Sequence, residues 1–390
     1  MSKLLFVFER DMPTISITRD VFTHLTGYPQ IVSDFMYLTD VKPSDIDSHD
    51  VIIFIRPNNT YSWKIAAQAR KAGHVVISMC DDDLLNLPKG LPTIPWRKKG
   101  LVKMLANSDA VWSPSPYILD KYRELTAGKR TVLSDTIIRP EELEGVDSDR
   151  DTDKVRIVYA AAASHAELFE TYVGPVVPRL AQQFGDKIEF TFISVHPKLD
   201  GVKCNYLPGM PLLEYRKYMK EQKFDIGLAP LHRDEFSKCK YYNKFLEYTT
   251  QGVVGVYSKT EPYTYVVRDG ENGFLADSSA DSWYEALHKA IGDRVLRNAC
   301  LANAVEYLAD HHSETACMER MRQSVPEIFD EQGSYDFCRG FSVQKIKYYL
   351  RRPMDKCYLL FFYLKNTGIN GVVKKTKRHF VEAKAYHRSR

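Results

Sequence analysis

Apolar runs three to six residues long, separated by stretches where apolar positions recur every three to four residues, set the rhythm of this chain. Runs of strand length alternating with helical periodicity predict βαβ units and a parallel sheet. Over the first 150 residues the predicted strands are Leu4–Phe8, Val51–Ile55, Val75–Met79, Ala110–Trp112 and Thr131–Leu133. Helices are expected between them at Ser62–Ala72, Arg97–Ala106 and Ser115–Leu125. From Ser134 to Lys154 the pattern gives way to a polar, acidic stretch (EELEGVDSDRDTDK), which marks a domain boundary. A second series follows, with strand Val155–Ala160, helix Ala166–Phe184, strand Ile188–Ile193 and helix Leu212–Gln222. It continues into an apolar run, Ile226–Pro230, a helical stretch and a further strand, Val253–Tyr257.

The pattern divides the chain into an N-terminal Rossmann-like domain over 1–150, a second over 151–330 and an extension over 331–390. A length of 390 residues agrees, because single cores stop growing near 250–300 residues. Apolar content of 44% with 27% charged residues is ordinary for a globular enzyme. Seven cysteines, odd in number and without a C-x-x-C pair, imply neither a disulfide framework nor a zinc site, and fit a reducing cytoplasm. The run Leu4–Phe8 is too short for a signal peptide and reads as a first strand; no window reaches the length needed to span a bilayer.

Candidate chemistry is concentrated in Phe224–Leu275. On a helix, Lys240, Lys244 and Glu247 of KYYNKFLE would fall within about 60° of one another. Helix starts after strands favour phosphate, since backbone N–H groups and the positive dipole end are exposed there. Two ammonium groups would neutralise a diphosphate and the carboxylate would accept from a ribose diol. The plainer alternative is a surface helix with an i,i+3 ion pair. At the start of the second domain, strand Val155–Ala160 passes into small residues and then Ser164-His165. Small side chains admit a ligand close to the backbone, and Ser164 is a candidate N-cap.

These segments together resemble the nucleotide-sugar half of GT-B glycosyltransferases of the retaining group-1 (family 4-like) type. The matching pieces are Asp225–Leu231, Phe236, Lys240, Lys244–Tyr248, Gly252–Ser258, Glu261-Pro262-Tyr263 and Arg268–Leu275. The resemblance is strong over 154–310 and weaker before. It implies two Rossmann-like domains facing a cleft, sugar transfer from a nucleotide-diphosphate donor, no metal or other cofactor, and an acceptor that is a glycan or lipid-linked. Cell-surface polysaccharide synthesis is the implied setting. Lys240 and His165 are then the catalytic candidates, and Ser164, Lys244, Glu247, Glu261 and Tyr263 the donor-binding ones. Glu261 and Tyr263 are as well suited to supporting the site by packing. The chain departs from the family pattern in two places. Alanines replace the usual glycines before His165, and Cys239 stands eight residues before Glu247, where an E-x7-E glutamate is common.

Asp81-Asp82-Asp83 directly follows a predicted strand. It could cap the next helix, line the acceptor side through Asp82 and Asp83, or hold a metal through Asp81 and Asp83 as in a GT-A-like transferase. The departures also leave open a non-catalytic GT-B-like binding or scaffold subunit.

Charge separates the tail from the rest. Residues 335–390 carry fourteen Lys/Arg against three Asp/Glu, so a net +4 chain has a −7 body and a +11 tail. The aromatic-basic stretch 339–365 and the KKTKR run at Lys374–Arg378 suit an anionic membrane surface. The alternative is that Tyr348, Leu350, Leu359, Phe361 and Phe362 pack on the first domain. No nucleic-acid module is present, so nucleic acid is not an expected partner. The expected location is cytoplasmic, with the tail pointing to the inner face of the membrane.

Overall fold

The computed structural model describes residues 1–87, 91–126, 129–147, 154–161, 165–197, 199, 202–330 and 341–388. The chain forms two compact units. The first comprises Met1–Ser113, Ile118–Val132 and Arg322–Arg390, and the second Pro114–Tyr117 and Leu133–Met321. The division therefore falls near Leu133 rather than at residue 150, and the basic extension belongs to the first unit.

Unit 1 is a six-stranded sheet of β1 (Ser2–Phe8), β2 (Ile31–Tyr37), β3 (Val51–Ile55), β4 (Val75–Met79), β5 (Ala110–Ser113) and β6 (Arg130–Leu133), ordered β2-β1-β3-β4-β5-β6. β1 runs parallel to β2 and β3, β3 to β4, and β4 to β5. Helices α1 (Pro13–Thr23), α2 (Pro43–Asp47), α3 (Ser62–Lys71), α4 (Pro95–Ala106) and α5 (Pro116–Tyr122) follow in sequence. Every residue of β3 is buried, which is why it reads as an unbroken apolar run. One face of the sheet meets Ile65, Ala66 and Ala69 of α3, with Tyr348 of the extension closing that layer.

Unit 2 contains α6 (Pro140–Leu143), β7 (Val155–Ala160), α7 (Ala166–Tyr172), α8 (Val177–Phe184), β8 (Ile188–Ile193), β9 (Cys204–Leu207) and α9 (Leu212–Gln222). Next come β10 (Ile226–Ala229), α10 (Glu235–Lys238), α11 (Asn243–Thr250), β11 (Val254–Ser258), β12 (Phe274–Ala276), α12 (Ala280–Gly292) and α13 (Arg294–His311). The sheet order β12-β11-β10-β7-β8-β9 is the doubly wound arrangement, with the chain reversing direction across the sheet between β7 and β10. Ligands in such sheets lie beyond the carboxyl ends of the strands at that reversal. The predicted helix Ala166–Phe184 is two helices, because Pro175 supplies no N–H to carry one through.

Gly227 and α11 are tightly coupled. A Cβ at 227 would lie 2.5 Å from the Tyr248 ring, whose hydroxyl donates to the Leu228 carbonyl at 2.7 Å. Gly227→Ala is expected to cost about 1–3 kcal/mol through overpacking. A urea titration checks this; an unchanged midpoint would show that α11 yields without cost.

Helix α14 (Glu314–Ser324) leads toward α15 (Phe341–Arg388), which is interrupted at Gly368, where φ is +64°. Among the described residues no helix is long and apolar enough to cross a membrane. The start of α15 is pinned to unit 1. Tyr348 is buried, its hydroxyl donating to Glu9 at 2.8 Å, and Tyr358 packs edge-on against Trp96 at 5.5 Å. Leu350 and Phe361, named above as packing candidates, are each 69% exposed and do not pack back.

Candidate functional site

At the reversal point of unit 2, β7 pairs with β10, and each strand leads into a connection that carries a histidine. On the first, at the start of α7, the His165 carbonyl accepts a hydrogen bond from Tyr159 of β7 at 2.8 Å. The second is held by Ser258 of β11: its Oγ accepts from the Leu231 N–H at 2.8 Å, which fixes the next residue, His232. Tyr172 of α7 meets His232 Nδ1 at 3.2 Å. A histidine from each loop thus sits at the mouth of the sheet.

Lys240 is not on a helix face, contrary to the sequence expectation. Asp234 caps the one-turn α10 by accepting from the Ser237 N–H at 2.7 Å, and the chain then bends at Lys240 before α11 begins at Asn243. The break is anchored rather than loose. Tyr242 donates to Asp135 at 2.6 Å, and the Tyr241 hydroxyl accepts from the Thr136 N–H at 3.1 Å. Tyr242 is buried and Tyr241 half-buried, and the bend brings both hydroxyls to the Asp135–Thr136 segment. Lys240 Nζ lies 5.0 Å from the centre of the Phe236 ring.

Lys244 and Glu247 do share a face of α11, as the spacing predicts, and form an ion pair at 2.5 Å. Tyr215 of α9 also donates to the Glu247 carboxylate, and its own ionisation is pushed far up by burial and by that carboxylate. The opposite face of α11, with Phe245, Leu246 and Tyr248, is core.

Electrostatics join these groups into one site. Burial lowers the His165 pKa most, followed by the like charges of Lys240, His232 and Lys244. The imidazole is therefore neutral at pH 7 and within the field of two lysines, of which Lys244 is paired with Glu247. His312 and His74 are likewise lowered, chiefly by burial. All three take protons less readily folded than unfolded, where histidine titrates near about 6.5. Their stabilising effect is complete above that value and is lost as pH falls through the folded pKa values. Glu9 and Asp83 also have lowered pKa values, but as carboxylates they cost stability only below about pH 4. Melting temperature should therefore fall first just below about pH 6.5 and again below about pH 4; a flat profile between pH 8 and 5 would contradict the histidine assignment.

Ser164 lies outside the described residues. Glu261 is half-buried and accepts a long 3.4 Å contact from its neighbour Thr260. Tyr263 is 4% exposed and packs at a tilt against Tyr257, ring centres 4.7 Å apart, so its ring sits in the core. The Arg268–Leu275 motif makes a self-bonded turn. Asn272 accepts from the Arg268 N–H at 2.8 Å and donates to Val266 at 2.9 Å, while Gly270 adopts φ +73°, which a side chain would resist. Cys239, at the position of the common family glutamate, is buried and brings no carboxylate to the site. His232, Tyr215 and Asp135 were missed by sequence reasoning; only His232, directly after the strand-closing APL, carried a local signal.

The aspartate triplet in unit 1 does not converge. Asp81 and Asp82 both meet Arg56, at 3.4 and 3.1 Å. Asp83 is fully buried and saturated: it pairs with Lys121 at 2.7 Å, accepts from Tyr122 at 3.0 Å and caps the Leu85 and Asn86 N–H groups. Asp83 is thus a structural cap, not an acceptor contact. Asp82 remains half-buried against Arg56.

No protein-family model matches the sequence, and no curated protein matches it. Solved structures do match in shape. Sucrose-phosphate synthase from Thermosynechococcus elongatus aligns with a TM-score of 0.59 at 12% identity, over 84% of this chain and 99% of that one. Anabaena HepE, in complex with UDP and glucose, aligns with a TM-score of 0.57 at 11% identity, over 84% and 100%. The lipopolysaccharide outer core galactosyltransferase WaaB gives 0.53 at 11% identity, over 83% and 99%. GT-A enzymes have a single nucleotide-binding domain, and the two doubly wound sheets here set that alternative aside. The chain has the fold of the GT-B glycosyltransferases.

Proposed function

We propose that the protein transfers a sugar from a nucleotide-diphosphate donor to a glycan or lipid-linked acceptor, with retention and without a metal. The observation that carries this reading is the gathering of Lys240, Lys244, His165 and His232 at the sheet reversal of unit 2. A departing nucleoside diphosphate is the anion such a cluster suits. In the reaction the bond from the anomeric carbon to the diphosphate oxygen breaks, the electron pair leaves with the diphosphate, and an acceptor hydroxyl forms the new bond and gives its proton to the departing diphosphate. Positioned cations stabilise the charge that develops on the leaving group, which is the main task in this chemistry. Lys240 is assigned that role, Lys244 is shared between diphosphate and Glu247, and Glu247 accepts from the ribose. His165, neutral and close to the lysines, hydrogen-bonds the donor. Retention and metal independence rest on the family resemblance. The UDP complex of HepE supports a nucleotide-sugar donor.

The acceptor is assigned to unit 1, and the basic end of α15 to an anionic membrane surface in cell-surface polysaccharide synthesis. Lys374, Lys375, Lys377 and Arg378 supply the charge, each worth about 1 kcal/mol near such a surface. The test of transfer is incubation of the protein with nucleotide sugars and extracted membrane acceptors in EDTA, with the product's anomeric configuration read by NMR. Retained configuration is expected; inversion, or activity only with added metal, would overturn those assignments. In liposome flotation, full-length protein with those four residues changed to Gln should lose most binding to anionic vesicles, and equal flotation would remove the membrane role.

A further inference from the structure

Resting on the acceptor assignment above, we propose that unit 1 holds a site for a phosphorylated amphiphile, an anionic head joined to an apolar chain. The site is a cavity of about 920 Å³ within that unit. It opens at the sheet reversal, where the neighbouring strands β1 and β3 send their connections in opposite directions, the position at which such sheets take ligands. One wall is the residues following β1, and the other is α15.

Its floor is fixed by an ionic lattice. Arg97 meets Glu9 at 2.8 Å and Asp355 of α15 at 2.6 Å, and Trp96 donates to Asp355 at 2.6 Å. These contacts satisfy two of the three carboxylates lining the cavity, and Tyr37 donates to the third, Asp11. Four lining cations remain: Arg10, Lys98, Arg352 and Lys356. Among the described residues none of the four forms a salt bridge. Burial lowers the Arg10 pKa most; the Glu9 carboxylate partly offsets this, and the like charges of Arg56 and Arg97 add to the lowering. With five lining cations against three carboxylates, the cavity is a site that an anion relieves.

Leu84, Leu87, Leu91, Ile94 and Leu359 give the lining an apolar part as well. A chain attached to a bound phosphate therefore has apolar side chains to lie on within the cavity. A free sugar phosphate would use only the cations and leave them uncovered.

The test uses full-length protein, calorimetry and three probes: decyl phosphate below its aggregation concentration, decyl glucoside and inorganic phosphate. Decyl phosphate should bind most tightly, and K98Q/K356Q should weaken it about tenfold or more, the scale of a lost charge-assisted hydrogen bond. Binding of a nucleoside diphosphate to unit 2 by the same variant should be unchanged, which reports folding. Equal binding of inorganic phosphate would make this a simple anion site, equal binding of the glucoside would remove the role of charge, and an unaffected variant would remove these lysines; each overturns the proposal. Decyl phosphate binding without nucleotide binding would leave the amphiphile site standing and refute the transferase reading. The reverse result would refute the site alone.

Discussion

Lys240→Ala should lower sugar transfer about 10²–10³-fold, the usual cost of removing one positioned group that stabilises developing negative charge. Two features of the structure give this residue that weight. It sits at a bend held from both sides, by the Asp234-capped turn before it and by the Tyr242–Asp135 hydrogen bond after it. After burial, its charge also has the largest effect on His165. Lys244→Ala should have the smaller effect on turnover, since its ammonium is already shared with Glu247 at 2.5 Å. Steady-state rates for the two variants test the ranking. A Lys240→Ala enzyme with full turnover would move catalysis elsewhere, whereas equal losses would make the two lysines one functional unit.

Asp83→Ala is the second large effect, and it is expected in stability rather than activity. Its carboxylate is fully buried, and removing it strands the Lys121 ammonium and uncaps two backbone N–H groups. Breaking a buried pair from one side costs about 3–5 kcal/mol. A loss of that size is a large fraction of a domain's stability. Chemical denaturation reads it directly, and the neighbouring Asp82→Ala, half-buried against Arg56, serves as the comparison. A stable Asp83→Ala protein with a raised KM for acceptor would restore the acceptor-contact reading.

What was legible in the sequence follows burial. Central strands such as β3, β4, β7 and β10 are buried on both faces, so they appear as apolar runs. The edge strands β2, β9 and β12 were not anticipated. β2 reads IVSDFMY and is mostly half-exposed, and β9, CNYL, has no buried residue at all. An edge strand with one solvated side needs no apolar run, so periodicity is silent about it. The Lys244–Glu247 pairing was legible because i,i+3 geometry is local. The Lys240 bend was not, because its cause, Asp135 anchoring Tyr242, lies more than a hundred residues away. The same limit applies to Asp83, whose partner Lys121 comes from α5, beyond the next strand. The extension shows both outcomes at once, with Tyr348 packed and Leu350 exposed two residues further along the same helix.

The most direct test of the central claim is calorimetric titration of the full-length protein with UDP, GDP, dTDP, CDP and ADP in EDTA, repeated with Lys240→Ala. The account predicts that one diphosphate binds the wild-type protein without metal and that its affinity falls at least tenfold in the variant, the loss of a charge-assisted contact. Equal affinity in both proteins, or no binding of any diphosphate to the wild type, would contradict a diphosphate site at the sheet reversal of unit 2.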